Sequence, residues 1–551
     1  MRIDRALRAW RMRGTCTAVA GMTLLCVLSA RPQVAATLPH LARHGSALQL
    51  VVHGRPMLML AGELGNSSAS DSACIAGGWQ GLRAMHMNAV LVPVYWELVE
   101  PEEGKYDFAL VDDAVRGARR NGLRVVFLWF GSWKNSMSCY VPEWVKRDGG
   151  RFPRSRTADG GPLEILTPFS EENRNADARA FAALMKHIRV TDGKLNTVVM
   201  VQVENEIGMI PEARDHCALA EAAFAAPVPA ALIATLDTGS ASPSDSARAA
   251  WLRQGKKTSG SWAEVFGPGS TTDEIFMAWY FARYADGVAA AGKREYPLPM
   301  YANAALIRPG YRPGQYPSAG PLPHILGVWR AGAPHIDLFA PDIYFPGFAA
   351  WLTRYDRPGN AVFIPEVDRR QSAANAFYAF AEHNAMSYSP FSIESVRDPA
   401  HSQFRKAYDV LGQLAPLILA HQGTGTMAGF LLDSAAESAT VTFGAYTFTI
   451  RHESTWPYAP RPEGETPRCG GLIIMAGPED YYVAGTGLVV TFRAAQAGSV
   501  AGIASIDEGT FVDGTWVAGR RLNGDEDHQG RHAYLKGGEF GIQRVRLYTY
   551  K

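Results

Sequence analysis

The chain is sparing with several features that mark common protein classes. Cysteine is scarce, six in 551 residues, and its spacing matches no zinc-binding pattern. No other set of metal ligands stands out, and no cofactor is called for. The formal net charge is only +1, so nothing electrostatic favours nucleic acid or an anionic membrane as a partner. No phosphate-binding glycine loop follows the first core strand, which weakens a doubly wound open sheet as the architecture. After residue 36 no apolar run is long enough to cross a bilayer.

The long apolar run that does exist lies at the N-terminus. Arg2, Arg5, Arg8, Arg11 and Arg13 precede Thr15–Ala30, and Val34-Ala35-Ala36 supplies the small residues of a cleavage site. Residues 1–36 are therefore expected to be a signal peptide and the mature protein periplasmic or secreted; an uncleaved anchor is the alternative. Cys16 and Cys26 would leave with the signal. Cys74, Cys139, Cys217 and Cys469 would remain, and an oxidising compartment permits disulfides among them in three pairings that sequence does not choose between.

With 47% hydrophobic residues, the chain can build a large core and more than one domain. Short apolar runs alternate with helical periodicity from Met57 onward: strands at Met57–Ala61, Ala89–Tyr95, Leu123–Phe130, Thr197–Val203, Leu298–Ala302, Ile336–Ile343, Ala361–Pro365 and Ala385–Ser389, with helices between them and a last helix at Gln403–Leu419. Eight such units predict an α/β fold, a (β/α)₈ barrel over residues 37–421. Gly131–Asn173 reads as a long irregular loop, and Glu212–Ser270 as an insertion with a Gly/Ser/Pro-rich part at Thr238–Ser246. After Gln422 short β-rich runs alternate with turns. Residues 422–551 are thus expected to form a smaller, sandwich-like antiparallel β domain.

The chemistry concentrates at two strand ends. The buried fourth strand, TVVMVQV, runs into Glu204, Asn205 and Glu206, and the seventh, AVFIP, runs into Glu366. The C-terminal ends of barrel strands are where such folds keep their reactive groups. Hydrolysis of a glycosidic bond needs one carboxylic acid to protonate the leaving oxygen and one carboxylate to meet the oxocarbenium-like carbon. Across a barrel mouth Glu206 and Glu366 would stand about 5–5.5 Å apart, the spacing of a retaining mechanism. Asn205 would hold a sugar hydroxyl. Trp96, Trp129 and Trp133 read as wall or core residues, and Glu394 as a helix cap.

The strings VQVENEIG, NAVLVPVYWELVEPEEGKYDF and AGELGNSS resemble the retaining β-galactosidases of glycoside hydrolase family 35, within the clan A barrel glycosidases. The resemblance implies Glu206 as acid/base, Glu366 as nucleophile, and Asn205, Glu63, Tyr95 and Glu204 as contacts to a terminal galactose, with Tyr344 added near the nucleophile. It implies a carbohydrate substrate and a mechanism that needs no metal or cofactor. From charge and the lack of a later apolar span, no nucleic acid and no membrane after cleavage are expected as partners; homo-oligomerisation stays open. IPEVDRR lacks the aromatics that follow the nucleophile in that family, and strand one lacks its His-Tyr. Family 42 and other clan A β-glycosidases therefore stay open, as does a sugar-binding protein on a degenerate barrel.

Overall fold

The computed structural model describes residues 37–237, 245–433, 437–456 and 468–551. The expected signal peptide, with Cys16 and Cys26, and most of Thr238–Ser246 lie outside the described residues.

Eight parallel strands form the centre: β1 (Met59–Leu60), β2 (Ala89–Tyr95), β3 (Arg124–Lys134), β4 (Val198–Asn205), β5 (Met300–Ala305), β6 (Leu338–Ile343), β7 (Ile364–Val367) and β8 (Ser387–Pro390). Their order in the sheet is β1-β8-β7-β6-β5-β4-β3-β2. The first and last are joined by hydrogen bonds from Leu91 N–H to Gly62 O (2.9 Å) and from Leu64 N–H to Leu91 O (3.0 Å), which close the barrel. Every residue of β2 and β4 is buried, as a sheet covered on both faces requires. Pro93 sits inside β2 without breaking it. The alternation of the strand points residue 93 to the same edge as Leu91, where β1 has already ended, so the missing N–H leaves no partner unmet.

The helices that follow the strands are α1 (Ser72–Ala84), α2 (Ala109–Arg120), α3 (Glu171–Asp192), α4 (Ser270–Glu295), α5 (Leu326–Gly332), α6 (Phe348–Tyr355), α7 (Ala374–Glu382) and α8 (Gln403–His421). Local chemistry sets their ends. Asp71 accepts from Ala73 and Cys74 N–H at the start of α1, and Ser170 and Ser402 do the same for α3 and α8. Gly122, at φ 72°, follows the end of α2. A three-stranded antiparallel sheet (His40–His44, Ala47–Val52, Arg55–Met57) lies at the N-terminal end of the barrel, where His53 meets the Leu195 carbonyl. The mouth at the other end is left to the loops.

Two expectations change here. Gly131–Asn173 is not irregular: it holds the end of β3, a short helix at Glu143–Arg147 and the antiparallel pair Arg154–Arg156 and Pro162–Leu166. β3 itself runs to Lys134, four residues past its apolar run. Between Trp129↔Val203 and Lys134↔Asn205 it takes five steps against two on β4, a bulge that re-aims its last residues.

After His421 the chain becomes antiparallel. A six-stranded sheet runs from Met427–Leu432 to Thr515–Leu522, and a four-stranded one contains Ser438–Phe443, Tyr446–His452, Leu488–Ala494 and His532–Leu535. Phe430, Phe448, Tyr481, Val490 and Val545 are among the residues of the core between them. The β region and the barrel form one compact unit, Ala36–Lys551. At the join Phe540 stacks on Phe377 (5.6 Å), and Gly429 lies so close to α7 that a Cβ would stand 2.8 Å from Glu382 N. Cys74 and Cys139 are exposed, Cys217 is buried, and all three are free thiols. No described helix is long and apolar enough to cross a membrane.

Candidate active site

The end of β4 is bent by its own backbone. Glu204 and Glu206 both have positive φ, 62° and 47°, a conformation that costs non-glycine residues of order 1 kcal/mol or more and persists only where surroundings hold it. Three contacts hold it here. Trp133 N–H donates to Glu204 Oε2 (2.8 Å), Glu206 N–H donates to Asn303 Oδ1 (3.0 Å), and Ser136 Oγ donates to Glu206 O (2.9 Å). The bend sends the two glutamates apart. Glu206 enters a cavity of about 570 Å³ at the strand ends, whose wall also carries Lys134, Asp342, Tyr344 and Glu366. Hollows of about 610 and 750 Å³ lie against the C-terminal β region, and neither is lined by Glu206 or Glu366.

Glu206 and Glu366 each have an acidic neighbour. Asp342 and Glu366 are register partners on β6 and β7. Asp342 takes a hydrogen bond from Asn303 Nδ2 (2.6 Å) and lies within hydrogen-bonding reach of Glu206. Glu63, on the loop after β1, lies within the same reach of Glu366. Burial first, then the charge of Glu366, pushes both Glu63 and Asp342 well above the usual carboxyl range, so these two hold protons that an ordinary carboxyl would have lost.

The two glutamates themselves differ. Burial and the neighbouring charge of Glu366 push Glu206 up to about 7, against the opposing pull of Lys134. Glu366 is also raised by burial, but Lys134, the hydroxyl of Tyr344 and Glu63 all pull it back down. Tyr344 donates a short hydrogen bond to Glu366 Oε1. The arrangement provides a proton donor beside a carboxylate that more readily ionises.

The other expected contacts fall elsewhere. Glu204 faces away from the cavity: it is buried beside Asp177 of α3, which accepts from Trp129 Nε1 (2.8 Å) and Ser132 N–H (3.0 Å). A carboxyl in that position braces β3 and β4 against the helix. Tyr95 is buried as well, stacked on Tyr140 (5.4 Å), and its hydroxyl accepts from Ala69 N–H (3.3 Å). Asn205 does not line the cavity wall, but neither atom of its buried amide finds a partner among the described residues, an arrangement rare without a ligand or water to satisfy it. Glu394 caps no helix; it takes Gly65 N–H (2.9 Å) and Ser68 Oγ (2.5 Å) in the loop after β1. Trp96, Trp129 and Trp133 are all fully buried in packing positions.

Lys134, Asp342 and the buried Tyr301, which lies within the charge of Glu63, Asp342 and Glu366, were not among the expected site residues. Asp342 ends a strand just as Glu366 does, and that signal was available. Lys134 reaches the cavity only through the bulge in β3, which apolar periodicity does not reveal.

Residues 74–258 match the family model described as beta-galactosidase of glycoside hydrolase family 42, and residues 404–534 match a domain of unknown function, DUF5597. The first match contains Glu206; Glu63 and Glu366 lie outside both. The beta-galactosidase of Xanthomonas manihotis is 29% identical over 206 residues, 36% of this chain and 31% of that one; the chain thus aligns with under a third of its relative. Among solved structures, the cold-adapted beta-galactosidase of Rahnella sp. R3 is similar with 15% identity over 66% of this chain and 57% of that one, at a TM-score of 0.46. The beta-galactosidase of the psychrophilic Marinomonas ef1 is similar with 12% identity over 65% and 60%, at 0.45. The sequence matches lie with the clan A glycosidases as a group. The matched model is that of family 42, whereas VQVENEIG and its companions resemble family 35.

Proposed function

We propose that the protein is an exported, retaining exo-β-glycosidase that releases terminal β-D-galactose from the non-reducing ends of oligo- or polysaccharides. The observation that carries this reading is the pair Glu206 and Glu366, delivered by β4 and β7 to one cavity and held in unequal surroundings. In the first step a carboxylate oxygen of Glu366 bonds to the anomeric carbon as the glycosidic C–O bond breaks, and Glu206 gives its proton to the leaving oxygen. In the second, water attacks the same carbon, Glu206 takes the water's proton, and Glu366 is released as carboxylate. The unpartnered amide of Asn205 is suited to a sugar hydroxyl beside that carbon. Galactose is supported by the names of the matched family and relative.

Within clan A, the VENE string favours family 35. Family 42 is the second reading, favoured by the match over residues 74–258. Export rests on residues 1–36 and gives a periplasmic or secreted protein; N-terminal sequencing of the cell-envelope and medium fractions should find a chain beginning after Ala36.

A panel of aryl β-glycosides tests the function. Fastest release of the aryl group from the galactoside is expected, with the β anomer of galactose appearing first by NMR. Faster release from another sugar moves the specificity, and an initial α anomer makes the enzyme inverting. Calorimetric sugar binding with no release from any glycoside would leave a binding protein in place of an enzyme.

A further inference from the structure

Among the described residues Lys134 is the only lysine or arginine that is buried. The β3 bulge brings it opposite Asn205 and onto the cavity wall with Glu206 and Glu366. Its ammonium lies over the Phe130 ring, 5.1 Å from the ring centre. No described residue forms a hydrogen bond or close ion pair with that ammonium. A charge buried in this way is strongly disfavoured unless another charge balances it, and the carboxyls it acts on are Glu63, Glu206 and Glu366.

We propose that Lys134 is a counter-ion shared by the two glutamates, balancing Glu366 in the free enzyme and Glu206 once Glu366 carries the sugar. The inference rests on the two-carboxylate reading above. In the free enzyme Glu366 is the carboxylate and Glu206 holds a proton, so the cavity contains one cation and one anion. Attack turns Glu366 into a neutral ester, and the same step sends the Glu206 proton to the leaving oxygen. The cavity again contains one cation and one anion, and the fixed ammonium need not move. Without it, each state would hold a lone buried carboxylate, which its surroundings would drive to take up a proton. The other groups facing the pair cannot replace this charge: Glu63 and Asp342 are acids, Tyr344, Tyr301 and Asn303 are neutral, and Arg308 stands exposed at the rim. Lys134 is thus a positioning residue that acts through the charge of its neighbours.

The test compares wild type with Lys134→Met and Lys134→Arg. Removing the cation makes ionisation of both glutamates harder, so both limbs of the kcat/KM pH profile should move upward by about one pH unit or more, and arginine should bring them most of the way back. With a dinitrophenyl glycoside, whose leaving group needs no proton, the glycosyl-enzyme should accumulate in Lys134→Met below pH 7 and turn over about tenfold more slowly, because less Glu206 is in its basic form. A folded Lys134→Met with lower kcat and both limbs in place overturns the proposal. Lys134→Gln repeats the comparison if methionine disturbs the fold. Carbon-13 NMR titration of the glutamate carboxyls separates this inference from the proposed function, since it needs no turnover. If Glu206 and Glu366 titrate higher in Lys134→Met while the wild type hydrolyses nothing, the counter-ion stands and the glycosidase reading falls. Unmoved titrations sink the counter-ion whatever the turnover.

Discussion

The ends of β4 and β7 start from the same materials and finish with different chemistry. Each delivers a buried glutamate to one cavity, and each glutamate has an acidic neighbour, Asp342 for Glu206 and Glu63 for Glu366. The β7 end adds the Tyr344 hydroxyl, whose hydrogen bond favours the ionised form of Glu366. The β4 end gives Glu206 only the protonated Asp342 and no hydroxyl like that of Tyr344, and burial together with the charge of Glu366 holds its proton up to about pH 7. One tyrosine and the order of charges therefore separate nucleophile from acid, as in other sites where two carboxyls are driven apart by their surroundings.

The largest expected effect comes from removing the β7 side of this comparison. Glu366→Gln keeps shape and burial but deletes the attacking oxygen charge, so turnover should fall by about 10⁴-fold or more with an unchanged circular-dichroism spectrum. A mechanism-based fluorosugar should label Glu366 in the wild type; a label found on Glu63 would exchange the roles of these two neighbours.

Next comes the β4 side. Glu206→Ala should slow substrates with poor leaving groups by about 10²–10⁴-fold and spare the first step for activated aryl glycosides. Azide should restore turnover and yield a β-glycosyl azide, because a small anion fills the emptied space without needing a base. Equal slowing of all substrates, with no azide product, would remove Glu206 as acid/base.

Tyr344→Phe should narrow the difference between the two ends. Loss of a hydrogen bond to a charged group costs about 1.5–3 kcal/mol, equivalent to about 10–10²-fold in kcat/KM. The acid limb of the pH profile should rise, because Glu366 ionises less easily without the hydroxyl. A uniform fall with an unmoved limb would assign Tyr344 to sugar binding alone.

Stability should register the same asymmetry. Burial raises Glu206 from an ordinary carboxyl value to about 7, so the folded state holds its proton where the unfolded chain has lost it. Its penalty is absent below about pH 4.5 and grows until pH 7 is passed. Stability should therefore decline over that window, and Glu206→Gln should stabilise the fold at pH 8 by on the order of 2 kcal/mol in urea titrations. A wild-type stability that is flat across the window would mean that Glu206 is not buried as described.

The barrel was legible because its strands are covered on both faces, which writes continuous apolar runs into the sequence, and because turns and caps punctuate them. β2 was placed to the residue. The antiparallel region was read less fully: Met427–Leu432, Asp480–Thr486, Val500–Val512 and His532–Leu535 escaped. Met427–Leu432 and His532–Leu535 are edge strands and Val500–Val512 is half-exposed, which weakens their patterns, whereas Asp480–Thr486 lies inside its sheet and is buried in all but its first residue. At the site, acidic residues at strand ends pointed to Glu206 and Glu366. Which way a glutamate turns at a strand end depends on backbone geometry, and the positive φ of Glu204 and Glu206 leaves no trace in residue identity. The bulge that brings Lys134 inward is equally silent.

The smallest effect on turnover, and the sharpest check on that geometry, should come from Glu204→Gln. Glu204 and Glu206 flank Asn205, and from sequence either could serve the cavity. In the structure Glu204 is buried against Asp177 and receives Trp133 N–H. Burial, with Asp177 adding to it, pushes its carboxyl well above the usual range, so Glu204 holds a proton it can share with Asp177. Glutamine reproduces both contacts, since its carbonyl accepts from Trp133 and its NH₂ donates to Asp177. The variant should fold, keep kcat within about threefold of wild type, and leave both limbs of the pH profile in place. Glu204→Ala removes the brace and leaves the Trp133 N–H and Asp177 short of a partner, so it should lose about 2–3 kcal/mol of stability while any folded fraction keeps the wild-type pH profile. If instead Glu204→Gln abolishes turnover in a folded protein, the two glutamates have exchanged places at the strand end, and the acid beside Glu366 is Glu204.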